Sequence, residues 1–158
     1  MDKYTIQLFL HVGAVVVALG PTFALPFLQA YAERDGVAST RFMLQFSERI
    51  YHILIIPGAV IVAIFGLALV VGNERGYREE FPLWLGITAF WYIIALALSV
   101  HYQPAAERRA MAILDELPSD AELPEAYAPL GRRLQMIEGF LAFTTLAVTF
   151  VMFWKPGE

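Results

Sequence analysis

Four apolar stretches constrain this chain more than anything else in it. They cover about residues 4–28, 51–72, 81–102 and 136–154, and no Asp, Glu, Lys or Arg occurs from Tyr4 to Leu28, from Ile53 to Gly72 or from Phe81 to Val100. A bilayer core of ~30 Å takes roughly 20 helical residues at 1.5 Å each. The first three stretches meet that length, and the fourth meets it if its helix continues back through Leu134 to Glu138. Runs this long do not alternate with period two, so they do not read as barrel strands. Only 16% of the residues are charged, against about 25% in soluble domains. A lipid bilayer is the solvent that can cover so much apolar surface. The expected fold is therefore all-α: a polytopic membrane protein with four transmembrane helices in an up-down bundle, one domain over residues 1–158.

The first stretch has a basic start at Lys3 and a small-residue triplet at Ala30-Tyr31-Ala32. Its apolar run exceeds the 7–15 residues of a signal-peptide core, so it is expected to stay as a helix. Tyr4, Tyr77, Phe81, Trp84 and Trp154 are expected at one membrane edge, and Tyr31, Tyr51 and Tyr102 at the other, as an aromatic belt. Arg34, Arg41, Arg49, Arg108, Arg109, Arg132 and Arg133 share one side, against Lys3, Arg75, Arg78 and Lys155 on the other. The richer side is expected in the cytoplasm, which puts both termini outside. A bacterial inner or plasma membrane is the expected location. Residues 105–133 form a polar cytoplasmic connection whose Ala106–Leu117 piece reads as a surface helix or an extension of the third span. Ser119-Asp120-Ala121-Glu122 has capping-box spacing, and Ser39 or Thr40 is expected to cap the second helix.

The chemistry available is narrow. With no cysteine, disulfides, thiolate catalysis and iron–sulfur clusters are excluded. A net charge of −4 without a basic tract gives no sign of nucleic acid. No acid or base sits at a span centre, which argues against a proton pump. Glu48, Arg49, Arg132, Arg133 and Glu138 read as a mostly solvated rim. What remains is histidine, at His11, His52 and His101. His11 shares a helical stripe with Ala14, Ala18 and Thr22, a small-residue face expected to point into the bundle. His52 falls in line with Ala59, Ala63 and Gly66, and His101 with Phe90, Ile94 and Ala97. Two imidazoles on neighbouring helices are a familiar way to hold b-type haem in a bundle, and His52 with His101 match best in depth. An interfacial histidine that merely hydrogen-bonds a carbonyl or headgroup is the plain alternative. Pro21, Pro26 and Pro57 are expected to kink the first two helices. Trp84 and Trp91, seven apart, either wall a porphyrin or pack the core.

Leu10-His11-Val12-Gly13-Ala14 with Gly20, Pro57 with Gly66-Leu67-Ala68-Leu69, Gln103-Pro104-Ala105 and the closing Lys155-Pro156 carry a resemblance. The chain resembles a bacterial family of four-helix membrane proteins of unknown function. That family is distantly similar to the copper-resistance D family and to the haem-dependent membrane protoporphyrinogen oxidases. Ala18 stands where the family commonly has Trp, and Pro21 where it has a second Gly. The resemblance implies a haem-binding role for the first-helix histidine, His11. Three functions follow as expectations: a redox protein binding haem b through His11, His52 or His101; a non-enzymatic subunit of a membrane complex or homo-oligomer; and a small-solute or metal transporter. The last ranks lowest, because the spans lack carboxylates and Met–His clusters. No catalytic residue and no substrate can be read from the sequence.

Overall fold

In hydrocarbon every backbone N–H and C=O must find a partner within the chain, and a long apolar run without turn residues can do that only as a helix. The computed structural model describes residues 2–156. It contains four long, nearly continuous helices: α1 (Lys3–Asp35), α2 (Val37–Gly72), α3 (Leu83–Asp115) and α4 (Glu125–Trp154). Among the described residues there is no strand. All four helices are long and apolar enough to cross a membrane. The chain is an all-α, four-helix integral membrane protein, and its surroundings are lipid.

The helices outrun the bilayer. Thirty-three residues, the length of α1 and α3, span roughly 50 Å at 1.5 Å each, against a ~30 Å hydrocarbon core. The excess lies at the end opposite the termini, called here the far end. There the polar connections are mostly helix: residues 103–115 extend α3 without a break, which bears out the second reading of Ala106–Leu117. Only residues 116–124 join α3 to α4, with a turn at Ser119–Asp120 that starts no helix.

The cap of α2 also differs from expectation. Gly36 performs the reversal between α1 and α2 in a single residue, at φ 116°, a region that L side chains rarely adopt. Thr40 lies inside the helix and donates from Oγ1 to the Gly36 and Ala32 carbonyls. The first N–H of α2, at Val37, is taken by the Ala121 carbonyl of the other connection. Arg41 ties the two hairpins together, donating to the Leu114 and Leu117 carbonyls at 2.6 and 3.0 Å and facing Asp115 at 3.5 Å. The Leu114 carbonyl also accepts from the Leu117 N–H, so Arg41 adds a side-chain donor at the end of the helix, where carbonyls lack their usual intrahelical partners.

Three short π-helical turns interrupt the spans, at Val15–Leu19, Tyr51–Ile55 and Leu98–Tyr102. A proline follows each one two residues later: Pro21, Pro57 and Pro104. A proline ring collides with the carbonyl four residues back and offers no N–H to it. Those carbonyls, on Val17, Ile53 and Val100, all fall within the π turns. Widening the preceding turn relieves the clash, and the extra residue it absorbs rotates the helix face on either side.

Neighbouring helices are antiparallel, and α1 packs on α2 over its whole length. The approach is close because glycines of α2 face it: a Cβ at Gly58 would sit 2.1 Å from the Ala18 Cβ, and one at Gly66 3.1 Å from His11 Cε1. α3 packs on α4 along the spans, and the two pairs meet closely only toward the far end. The buried apolar clusters follow the same division. One joins Val37, Leu44, Ala110, Leu114, Tyr127 and Leu134, and the next joins Leu25, Met43, Tyr51, Ile55 and Leu141. Toward the termini the pairs enclose a cavity instead.

Candidate functional site

His11 sits where α1 meets α2, and it is the one histidine that the fold buries, at 7% exposure. Its Nδ1 lies 2.9 Å from the Val62 carbonyl. A carbonyl only accepts, so the hydrogen is on Nδ1 and the Nε2 lone pair is left for another partner. Gly66 gives the ring its floor. The stripe expected to face inward does so: Ala18 and Thr22 are also buried.

A cavity of about 70 Å³ lies between the helix pairs, with His11 on its wall. Its lining is mostly aliphatic, with hydroxyls from Thr22, Tyr92, Ser99, Thr144, Thr145 and Thr149. Most of those hydroxyls donate to backbone carbonyls. Ser99, Thr145 and Thr149 bond four residues back, Thr22 bonds Leu19, and Tyr92 crosses from α3 to the Ala59 carbonyl of α2. A space of this size has room for a few water molecules and is far below the roughly 300–1,000 Å³ of a pocket for a drug-sized ligand. Trp84 and Trp91 do not line it. Trp84 is buried edge-on against Tyr77, and Trp91 lies exposed beside Phe90 and Phe140.

His52 and His101 are exposed on the bundle surface. His52 Nδ1 faces the Glu48 carbonyl of its own helix at 2.8 Å. Both histidines belong to π turns. Phe90 and Ala97, in line with His101, are exposed as it is, whereas the stripe that would have turned His52 inward is out of phase with the packed face of its helix. On α2 that face is Ile55, Ala59 and Val62, while Ala63 is exposed. His11 and His52 stand far apart: Val62, beside His11, is ten residues along α2 from His52, about 15 Å.

Below the cavity lies a polar cluster that includes Glu138, expected in the solvated rim. Glu138 is 2% exposed and Glu107 4%. Gln103 Nε2 donates to Oε1 of both, at 3.2 Å each, and Ser47 donates to Glu107 at 2.9 Å. Tyr51, expected in the aromatic belt, is among the largest fully buried side chains and lies within electrostatic reach of both carboxylates. A turn further on, Glu33 accepts from Gln29, Tyr127 and Gln135 at 3.0, 2.9 and 2.6 Å. The signal was present in the sequence as amide–acid pairs at helical spacing: Gln29 with Glu33, Gln103 with Glu107 and Gln135 with Glu138.

Among the described residues, no three His, Cys, Asp or Glu side chains stand close enough to hold a metal ion. No curated protein and no solved structure matches this chain. A family model does, over residues 5–156, nearly the whole length. The chain belongs to the family described as "Predicted integral membrane protein (DUF2269)", whose function is unknown.

Proposed function

We propose that this membrane protein binds b-type haem in a redox role, with His11 as the protein ligand to the iron. The observation that carries the reading is the hydrogen bond from His11 Nδ1 to the Val62 carbonyl. Imidazoles that ligate metals usually anchor their second nitrogen in this way, which orients the ring and frees the other lone pair. The aliphatic walls around His11 suit a porphyrin, and Gly66 leaves the ring room to stand upright. In size, the 70 Å³ cavity demands that the two helix pairs part along their thinly packed half. When bound, haem supplies one-electron chemistry. His11 holds and orients the group, and the apolar lining excludes water.

The test is an absorption spectrum of the detergent-purified protein, oxidised and dithionite-reduced, made with haem available. A Soret band is expected. It should be lost in His11→Ala, weakened in Gly66→Val, which crowds the ring, and retained in His52→Ala and His101→Ala. A featureless visible spectrum, or a Soret band indifferent to His11, overturns the assignment.

A further inference from the structure

We infer that Tyr51, Gln103, Glu107 and Glu138 form a binding site for a small hard cation within the bundle, separate from His11. Four oxygens mark it. Tyr51 Oη, Gln103 Oε1, Glu107 Oε2 and Glu138 Oε2 are all buried without a hydrogen-bond partner. They come from α2, α3 and α4, and the four residues are between 0% and 4% exposed. Gln103 Nε2 bridges the other oxygens of the two carboxylates, so the acids stand no further apart than those two bonds allow. Buried polar atoms in a native fold are rarely left unpaired, and four on neighbouring buried side chains call for a partner.

Charge points to what that partner is. The site brings two carboxylates together, and among the described residues no lysine or arginine is seen paired with them: Arg108, Arg109, Arg132 and Arg133 are exposed. The ion pair seen among the described residues, Arg41 with Asp115, lies elsewhere. Glu48 and Glu33 add negative potential, against exposed His52 on the other side of the balance. A water molecule satisfies an unpaired oxygen, but the two buried carboxyls must then hold protons or carry an uncompensated charge, and the second is costly. A cation answers both needs. The donors are all oxygen: two carboxylates, one amide carbonyl and one phenol, with the Ser47 hydroxyl adjacent. Such a set suits Ca²⁺, Mg²⁺ or Na⁺ and offers nothing to a soft metal. Glu33 serves as an internal comparison, since both of its oxygens are already met by protein donors. Access is short, because Ile55, Ser99 and Leu141, on the cavity wall, lie about one helical turn from Tyr51, Gln103 and Glu138.

The experiment is thermal unfolding of the full-length protein in detergent. The protein is stripped with chelator into N-methylglucamine chloride and then titrated separately with CaCl₂, MgCl₂ and NaCl. A saturable rise in Tm of several degrees is expected with at least one of them, and the arm that responds identifies the ion. Glu107→Gln with Glu138→Gln should abolish the rise, while Glu79→Gln on the exposed loop should keep it. Equilibrium dialysis of the wild type, with one cation expected per chain, covers the case in which the double variant does not fold. The inference is overturned by a wild-type Tm indifferent to all three salts, by an equal rise in the double variant, or by dialysis that finds no bound ion. The haem spectrum reads neither result, so the two assignments fail independently.

Discussion

At the scale of single residues, burial decided what helical spacing alone could not. Glu138 and Tyr51 each sit at the edge of an apolar stretch, where a carboxylate or phenol ordinarily faces headgroups. They turn inward because their helices continue well past the hydrocarbon, so the edge of the apolar run is not the edge of the packed bundle. The loop near the termini gives a simpler case. Asn73 ends α2 in a left-handed conformation, and its side-chain amide donates to both Glu79 oxygens at 2.9 and 2.8 Å. That donation is the main reason the Glu79 carboxyl is held below the ordinary carboxylate range. A lowered value means that the stabilisation is present above the ordinary pKa and fades as pH falls through the lowered one. Asn73→Ala should return the Glu79 titration to the ordinary range, followed by carbon NMR of labelled glutamate. An unchanged titration would show that the amide is not its cause.

At the scale of elements, the four spans and their small-residue faces were legible, and the phase of α2 around His52 was not. Stripes drawn at a constant 3.6 residues per turn placed His11 correctly, because Lys3–Ala14 is regular α-helix up to the first π turn. The same spacing failed for His52; like His101 it sits inside a π turn, but the His101 line of Phe90, Ile94 and Ala97 runs along the outer face where His101 lies. The prolines that set those turns were visible, but they read as kinks, and a kink changes direction while a π turn changes which side chains face inward. The distinction is testable within the protein. Pro57 follows a π turn, whereas Pro26 lies within Pro21–Asp35 with no π turn before it. Pro57→Ala lets α2 relax toward regular helix and drives either the Ala18–Gly58 contact or Tyr51 out of register, so its Tm should fall by several degrees. Pro26→Ala removes a residue disfavoured inside a helix, so its Tm should hold or rise. Equal responses would mean that packing, not proline, maintains the π turns.

At the scale of the whole molecule, the bundle divides along its length into two regimes with different solvents. Toward the termini the surface is large and apolar, with Val17 62%, Ile64 57% and Leu67 65% exposed, which only lipid can cover. Toward the far end a small apolar core is closed by Tyr127, Leu114 and Val37 and ringed by charged side chains, as in a soluble helical bundle. The sequence shows the first regime as hydropathy. It shows the second only in part: Ala106–Leu117 reads as helix, but that core is assembled from several amphipathic segments, none of which buries much on its own. The polar column from His11 through the cavity to Glu107, Glu138 and Glu33 crosses the boundary between the two. The absence of cysteine makes the division measurable, since single cysteines can be placed on a silent background. Arg34→Cys and Arg109→Cys, at the far end, should react fully with a water-soluble maleimide in detergent-free membranes, while Ile64→Cys and Leu67→Cys should stay unlabelled until the membrane is dissolved. The balance of arginines adds a direction to test: the arginine-rich far end is the one expected in the cytoplasm, and in intact cells its two positions should then react only after lysis. Labelling of Leu67→Cys in intact membranes would show that something other than lipid, with water at its border, covers that face. Labelling of Arg109→Cys without lysis would reverse the orientation and put the carboxylate cluster nearer the outer leaflet.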